Sequence, residues 1–331
     1  MFNYQGRLFT FGCSFTNYYW ITWADILGKQ FSQYENWGLA GAGNHYIFNS
    51  LVEANKRNQF TKDDTIIIMW STIAREDRYI NKEWLATGHV YSNKIYSNNY
   101  IKQFVDDRGF LIRDLAFISA ADDLLRLSGA NYHFLSLAPL NLISNIDLLS
   151  ESDVITLYQD TIDKIEPSMY EVIWDSNWDN RSADGVTINS FNNNKVHINN
   201  LVENMTKKLY NIMKGDNWPT YESYIKQDYY VSTEIINELN EFKKLIEFKK
   251  IPATIRTNLT NYTNKFKKVK TRDQHPTPLE HLEYLIKVFP ELIIDPAIIS
   301  WVTEYNKILL TDASQIIIEW QPNLNGPKIR L

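Results

Sequence analysis

The pattern of apolar positions predicts strands alternating with helices over the first 140 residues. Short strands are predicted at residues 7–12, 35–39, 64–70 and 132–137. Apolar residues at helical spacing predict helices at 19–31, 44–57 and 110–128. The third strand ends in five large apolar residues in succession, which is typical of a strand covered on both faces in a parallel sheet. This alternation predicts an α/β fold with a doubly wound parallel sheet, in which sites form at the carboxyl ends of the strands.

The pattern becomes less regular after residue 140. We predict that residues 141–265 form an inserted, mostly helical subdomain, with helices at 153–165, 201–213 and 233–249 around a turn-rich segment at 174–194. Residues 266–290 return to a short loop and a helix at 278–288, so we expect them to join residues 1–140 in one discontinuous domain. Residues 291–331 are predicted to be a C-terminal extension with a helix at 296–309 and an apolar segment at 315–320.

Composition narrows the class of protein. The 331 residues are 44% hydrophobic and 22% charged, as in globular proteins. A single cysteine, Cys13, excludes an internal disulfide and a cysteine-based zinc site. The net charge of -5 does not indicate a nucleic-acid partner, and we interpret the basic run at 265–272 as a solvated face. No metal or other cofactor is predicted, because the histidines lack metal-ligand spacing.

The location of the protein is predicted from what the sequence lacks. No run of 18 or more apolar residues is present, and the first residues lack the basic and apolar regions of a signal peptide. We therefore expect a cytoplasmic or virion-associated protein with no membrane partner. The sequence leaves the oligomeric state open.

Three short segments carry residues suited to catalysis. Residues 11–16, Phe-Gly-Cys-Ser-Phe-Thr, place Ser14 on a turn between the first strand and the first helix, and a serine hydroxyl becomes a nucleophile when a base accepts its proton. Residues 36–44, Asn-Trp-Gly-Leu-Ala-Gly-Ala-Gly-Asn, contain glycines whose backbone N–H groups can approach an oxyanion. Residues 273–281, Asp-Gln-His-Pro-Thr-Pro-Leu-Glu-His, place Asp273 two residues before His275, which precedes a proline and a helix start.

In their order and placement these segments resemble the SGNH hydrolase superfamily of GDSL-like esterases and lipases. The resemblance covers residues 7–139 and 273–289. It implies a three-layer α/β/α fold in which Ser14 is the nucleophile and His275 the general base. It also implies that Gly41 donates its backbone N–H to the oxyanion and that Asp273 orients the imidazole.

The sequence departs from the family pattern in three places. Cys13 replaces the usual aspartate before the nucleophile, and Asp273 stands two residues before His275 instead of the common three. The third family motif, Gly-x-Asn-Asp, is replaced by Trp-Ser-Thr-Ile-Ala-Arg at 70–75, which has no asparagine to donate to the oxyanion. Losing one such donor costs about 100- to 1000-fold in rate. The candidate replacements are the hydroxyls of Ser71 and Thr72 and the side chain of Asn44, and Arg75 is a candidate for binding an anionic substrate group.

Each candidate residue also has a purely structural interpretation, in which it takes no part in catalysis. Ser14 fits an ordinary turn, Gly41 and Gly43 a helix entry, His275 a helix cap, and Asp273 an ion pair with Arg272 or a nearby lysine. We interpret His281 as structural and Cys13 as a buried small hydrophobe that points away from Ser14.

The resemblance predicts a carboxylic ester hydrolase that forms an acyl-enzyme on Ser14 and acts on a small-molecule or glycan ester. Aromatic residues make up 14% of the chain, and Trp174, Trp178, Trp218 and Tyr221 in the insertion suggest an O-acetylated carbohydrate. Codon bias is another explanation for that excess. Two other functions stay open: an O-acyltransferase, and a non-catalytic binding or virion structural protein that keeps the fold.

Overall fold

The computed structural model describes residues 2–80, 82–91, 96–139, 152–175, 186–189, 270–273 and 275–319. The chain divides into two compact units. The first comprises Met1–Ala183, His275–Asn306 and Trp320–Leu331, and the second comprises Asp184–Gln274 and Lys307–Glu319.

In chain order the strands and helices among the described residues are β1 (Arg7–Phe11), α1 (Trp23–Gly28), β2 (Gln33–Asn36), α2 (Asn44–Asn58), β3 (Thr65–Trp70), β4 (Arg75–Ile80), β5 (Glu83–His89), α3 (Asn98–Phe104), α4 (Asp107–Ser128), β6 (Asn131–Ser136), α5 (Ser152–Leu157), α6 (Gln159–Ile162), α7 (Met169–Trp174), β7 (Val186–Asn189), β8 (Lys270–Asp273), α8 (Pro278–Val288) and α9 (Pro296–Glu319).

The first unit contains a four-stranded sheet in the order β2-β1-β3-β6. All three strand pairings are parallel, with Phe11 opposite Ile68 and Trp70 opposite Ser136. The loops that follow the four strands therefore lie along one edge of the sheet. This arrangement confirms the predicted α/β class with a parallel sheet.

The hydrophobic core surrounds β3, whose six residues are all buried. Burial of alternate side chains that point to opposite faces requires cover on both faces of the sheet. Helix α2 packs on α4, while α8 packs on both α1 and α7. The core positions of α2 recur at helical spacing, at Ile47, Leu51 and Ala54.

Several elements differ from the sequence-based expectation. Helix α1 begins at Trp23 and not at residue 19, because Thr22 is its N-cap residue and Asp25 accepts a hydrogen bond from the Thr22 N–H at 2.8 Å. The antiparallel β4–β5 hairpin was not predicted, since β4, Arg-Glu-Asp-Arg-Tyr-Ile, is mostly charged. The expected helix at 153–165 is two short helices, α5 and α6, and α9 continues to Glu319 beyond the predicted end.

Residues 152–174 belong to the first unit, whereas the sequence placed them in the insertion. Their contacts explain the difference. The Glu166 N–H donates to the carbonyl oxygen of Phe134 in β6 at 2.8 Å, and Tyr284 in α8 donates its hydroxyl to the Pro167 carbonyl at 3.0 Å. The helices predicted at 201–213 and 233–249 lie outside the described residues.

Candidate active site

A tight turn after β1 carries Ser14. A Cβ atom on Gly12 would lie 2.0 Å from Thr16 Oγ1, so the turn needs glycine there. The Cys13 carbonyl accepts hydrogen bonds from the N–H groups of Thr16 at 3.0 Å and Asn17 at 3.1 Å, which closes the chain around Ser14. The side chain of Cys13 is buried in the core, as predicted, while Ser14 exposes 6% of its surface.

The structure brings Ser14 and His275 together. Ser14 Oγ lies 2.8 Å from His275 Nε2, although the two residues are 261 positions apart in the sequence. This distance is within the range of 2.6 to 3.2 Å expected between a nucleophile and its general base. Two of the three predicted segments thus meet at the reacting atoms that the resemblance assigns to them.

Aromatic side chains surround the His275 ring. Tyr18 stacks on the imidazole, with ring centroids 3.7 Å apart and an interplanar angle of 21°. The centroid of the Phe15 ring lies 5.5 Å from that of the imidazole. The Trp20 centroid lies 6.4 Å away, and the Trp20 ring is nearly perpendicular to the imidazole. Trp20 also donates its indole Nε1–H to the Pro276 carbonyl at 2.7 Å, so the backbone beside His275 is held in the core.

The loop that carries His275 runs directly into α8, and hydrogen bonds at the start of that helix fix its end. Thr277 is the N-cap residue of α8 and forms a capping box with Glu280. Glu280 accepts a further hydrogen bond from Trp174 Nε1 at 3.0 Å. A proline at the first position of the helix adds to this rigidity, because its φ angle is already helical.

Two asparagines join the second segment to the nucleophile turn. Asn17 Nδ2 donates to the Gly38 carbonyl at 2.9 Å, and Asn36 Nδ2 donates to the Thr16 carbonyl at 2.8 Å. The backbones approach so closely that a Cβ on Gly38 would lie 2.8 Å from Asn17 Cβ. The loops after β1 and β2 therefore form one rigid assembly.

Gly41 occupies a backbone conformation that favours glycine. Its φ is +81°, and a Cβ there would lie 3.1 Å from the Ala86 carbonyl in β5. The Gly41 carbonyl accepts a hydrogen bond from the Gly88 N–H at 3.0 Å. Within the part of the chain that the structure describes, the backbone N–H groups of Gly41 and Ser14 donate to no acceptor, as an oxyanion donor requires before substrate binds.

Asn44 joins the start of α2 to the end of β3. Its Oδ1 accepts from the Ser71 N–H at 2.7 Å, while its Nδ2 donates to the Ser71 carbonyl at 3.1 Å and to Asp114 Oδ2 at 2.9 Å. Both amide hydrogens are therefore engaged. In this geometry Asn44 fixes the Ser71 backbone and has no free N–H for an oxyanion.

The other two candidate donors differ in their surroundings. Ser71 is 2% exposed, and its Oγ has no hydrogen-bond partner among the described residues. Thr72 Oγ1 accepts a hydrogen bond from Arg75 Nε at 3.2 Å. Arg75 also donates from Nη1 to the Ala42 carbonyl at 2.9 Å, so its guanidinium connects the second segment to the third. Its role toward an anionic substrate group stays a prediction.

Two buried carboxyl groups, those of Asp77 and Asp114, form hydrogen bonds to the start of α2. Asp77 accepts hydrogen bonds at the start of α2 from the N–H groups of Gly43 and Tyr46, each at 2.9 Å to its nearer oxygen. Burial raises the pKa of Asp77 despite these bonds. Burial likewise raises the pKa of Asp114 to about 6, although Arg113 and Asn44 favour the charged form.

The remaining candidates are Asp273 and the aromatic residues proposed to bind a sugar. Asp273 is the last residue of β8, opposite Val186, and its side chain lies outside the described residues, so its orienting role stays a prediction. Trp174 is 2% exposed and packs edge-on against Phe15, so it offers no exposed ring for a sugar. The other aromatic candidates of the insertion, Trp178, Trp218 and Tyr221, lie outside the described residues.

The sequence analysis missed the residues that hold the site in place. Tyr18 and Trp20 were assigned no role, and Trp20 was placed in the helix predicted at 19–31. Asn17 and Asn36 were also assigned no role, although Asn36 is the first residue of the second segment. The available signal was their position, since all four stand within a few residues of Ser14 or Gly38.

A scan against models of protein families and a search of curated proteins found no match to this chain. Among the described residues, no helix has the length and apolar character needed to cross a membrane. In the same part of the chain, no group of three or more His, Cys, Asp or Glu side chains is placed to hold a metal ion.

Replacing Trp20 by phenylalanine tests the contact that holds the His275 loop. Trp20→Phe keeps an aromatic ring in the core but removes the donor to the Pro276 carbonyl, leaving that buried oxygen unpaired. We expect a loss of about 1 to 3 kcal/mol in the free energy of unfolding, measured in urea. The control is Trp301→Phe, since Trp301 is only half-buried. An equal or smaller loss for Trp20→Phe would contradict this role.

His281 gives a pH-dependent prediction. It is 1% exposed in α8, and its Nδ1 has no partner among the described residues. Its pKa is lowered from 6.5 to about 3, mainly by burial and to a smaller extent by the nearby His275. The unfolded chain therefore binds more protons below pH 6.5, so stability falls as the pH falls. Between pH 7 and pH 5 this costs about 2 kcal/mol.

We expect His281→Phe to lose about 2 kcal/mol less stability than the wild type over that interval, whatever its stability at pH 7. Denaturant unfolding of both proteins at pH 7 and pH 5 measures the difference. Equal losses would show that His281 does not titrate as a buried neutral group.

Proposed function

We propose that this chain is a serine hydrolase that cleaves an ester bond, with Ser14 as nucleophile and His275 as general base. The observation that carries the proposal is the 2.8 Å separation of Ser14 Oγ and His275 Nε2. The residues lie beside the carboxyl edge of a parallel sheet, where sites of α/β proteins form. The resemblance of the three sequence segments to SGNH hydrolases supports the same assignment and suggests the three-layer α/β/α arrangement.

Acylation follows from this geometry. With its own proton on Nδ1, His275 accepts the Ser14 hydroxyl proton at Nε2 while Oγ forms a bond to the carbonyl carbon of the ester. The carbonyl oxygen then carries the negative charge, and the backbone N–H groups of Ser14 and Gly41 donate to it. When the tetrahedral intermediate collapses, the ester C–O bond breaks and the alcohol leaves with the proton from Nε2.

Deacylation uses the same groups with water in place of the alcohol. His275 accepts a proton from water, the water oxygen attacks the acyl carbon, and Ser14 Oγ leaves with the proton returned by His275. The products are the free acid and the regenerated serine. Asp273 is proposed as the group that orients the imidazole, as in the resembling family.

The third oxyanion donor is assigned to Ser71. Asn44 cannot take this role in the present geometry because both its amide hydrogens are engaged. The Ser71 hydroxyl is buried at the end of β3 without a partner among the described residues, and its backbone is held on both sides by Asn44. A buried, positioned and unused O–H is the kind of donor that stabilises an oxyanion.

The exposure of Ser14 bears on the substrate. The resemblance to SGNH hydrolases suggests a small acyl group, and the 6% exposure of Ser14 is compatible with one. A carbohydrate as the alcohol part is supported only by the aromatic composition, since Trp174 is buried. Release of free acid without an added acceptor would argue against an O-acyltransferase, in which the acyl group passes to an alcohol.

Labelling with a fluorophosphonate tests the proposed nucleophile and base. We expect stoichiometric labelling of the wild type, none of Ser14→Ala, and labelling of His275→Gln slowed at least about 100-fold by the loss of the base. Intact-protein mass spectrometry measures each rate. Ser119→Ala, a half-buried serine on α4, is the control and should label like the wild type.

Two results would exclude catalysis by Ser14: no labelling of the wild type, or equal labelling of Ser14→Ala. Either would favour the non-catalytic binding or structural protein.

The role of Ser71 is tested with p-nitrophenyl acetate as substrate. We expect Ser71→Ala to lower kcat/KM by about 100-fold, through loss of one oxyanion donor, with little change in the free energy of unfolding. The matched control is Ser50→Ala, a buried serine on α2 whose Oγ donates to the Ile47 carbonyl. A Ser71→Ala enzyme within threefold of the wild type would show that another group stabilises the oxyanion.

A further inference from the structure

We propose that Tyr18 is a positioning residue for His275, holding the imidazole in the plane in which Nε2 meets Ser14 Oγ. The inference rests on the proposed function, since it concerns the base of that reaction. The two rings are 3.7 Å apart between centroids and 21° from parallel, so the tyrosine covers one face of the imidazole.

A general base needs such a support because the last torsion of a histidine side chain is soft. Rotation about the Cβ–Cγ bond of His275 swings Nε2 away from the serine oxygen, and torsions of this type have broad energy wells. A flat ring in contact with one face blocks that rotation. Phe15 lies against the same imidazole at 5.5 Å, so a second ring also limits its movement.

Tyr18 is itself fixed in place. It is 7% exposed and meets Trp20 edge to face, with centroids 4.6 Å apart and an interplanar angle of 88°. Trp20 is fully buried and donates to the Pro276 carbonyl. The pair therefore constrains His275 twice, through its ring by Tyr18 and through the adjoining backbone by Trp20.

The stack also suits the charge that His275 acquires during the reaction. Once Nε2 has accepted the serine proton, the imidazolium faces the electron-rich face of the tyrosine ring, which attracts cations. This attraction depends on the aromatic face and not on the tyrosine hydroxyl. Phenylalanine at position 18 should therefore preserve the function, whereas an aliphatic side chain should not.

The experiment compares Tyr18→Phe with Tyr18→Leu by the rate of fluorophosphonate labelling of Ser14 across a range of pH. We expect Tyr18→Phe to stay within about twofold of the wild type and Tyr18→Leu to label about 3- to 10-fold more slowly on the plateau. Tyr132→Leu is the control, because Tyr132 lies near the start of β6, at the opposite end of the sheet. It should label at the wild-type rate.

A spectroscopic measurement detects the stack without depending on activity. The carbon-bound ring protons of His275, identified by their absence in His275→Gln, should be displaced upfield by the Tyr18 ring current in the wild type and in Tyr18→Phe. The displacement should be lost in Tyr18→Leu. Because leucine leaves a cavity at a buried site, Tyr18→Met is measured alongside it and is expected to behave in the same way.

The possible failures are distinguishable. If the wild type is labelled, and both Tyr18→Leu and Tyr18→Met are labelled at rates within twofold of it, the positioning role alone is overturned. Normal positions for the His275 ring protons in the wild-type spectrum would also overturn it, since they would show that the stack is absent. Absence of wild-type labelling at every pH would overturn the proposed function and the positioning role with it.

Discussion

The hydrogen bonds between the loops at the carboxyl edge of the sheet hold the candidate active site together. Parallel strands deliver several loops to the same edge, and each loop carries buried backbone groups that need partners. Asparagine side chains supply many of them here. Asn17 and Asn36 join the loops after β1 and β2, and Asn44 joins the loop after β3 to the start of α2. An amide both donates and accepts, so one side chain can fix two backbones at once.

This framework explains how a nucleophile and its base meet across 261 residues. The position of Ser14 depends only on the turn after β1, which is fixed by the close approach of Gly12 and Thr16. His275 comes from a distant part of the chain, so its position depends on tertiary packing. That packing is aromatic on one side, through Tyr18 and Trp20, and is completed by the capping box at the start of α8. A hydrophobic cluster thus positions the proposed general base.

The sequence predicts the parts of the fold that depend on local pattern. Three of the four parallel strands, β1, β3 and β6, lie within one residue of the apolar runs that predicted them. Strand β2 begins two residues before the predicted 35–39, because its sequence, Gln-Tyr-Glu-Asn, carries no apolar run to mark it. The β4–β5 hairpin was missed because its stability comes from cross-strand pairs and buried Asp77, in a segment that is mostly charged. Among the candidate site residues, Ser14 and His275 were proposed from their motifs, and the structure brings their side chains within 2.8 Å of each other. The interpretation of Asn44 as a free donor did not anticipate Ser71 and Asp114 as its partners, since nothing local relates α2 to α4.

The buried carboxylates behind α2 show what the site demands of the fold. Burial raises the pKa of Asp77 and that of Asp114, so the charged form of each is disfavoured in the folded protein relative to water. Asp77 fixes the start of α2 through the Gly43 N–H, and Asp114 fixes Asn44, which in turn holds Ser71. Apolar residues would fill the same space with less loss of solvation but could not orient these polar groups. The geometry of the loop after β3 is thus maintained by carboxyl groups whose burial is unfavourable for stability, as expected if the position of the proposed donor Ser71 matters more than the energy of the core.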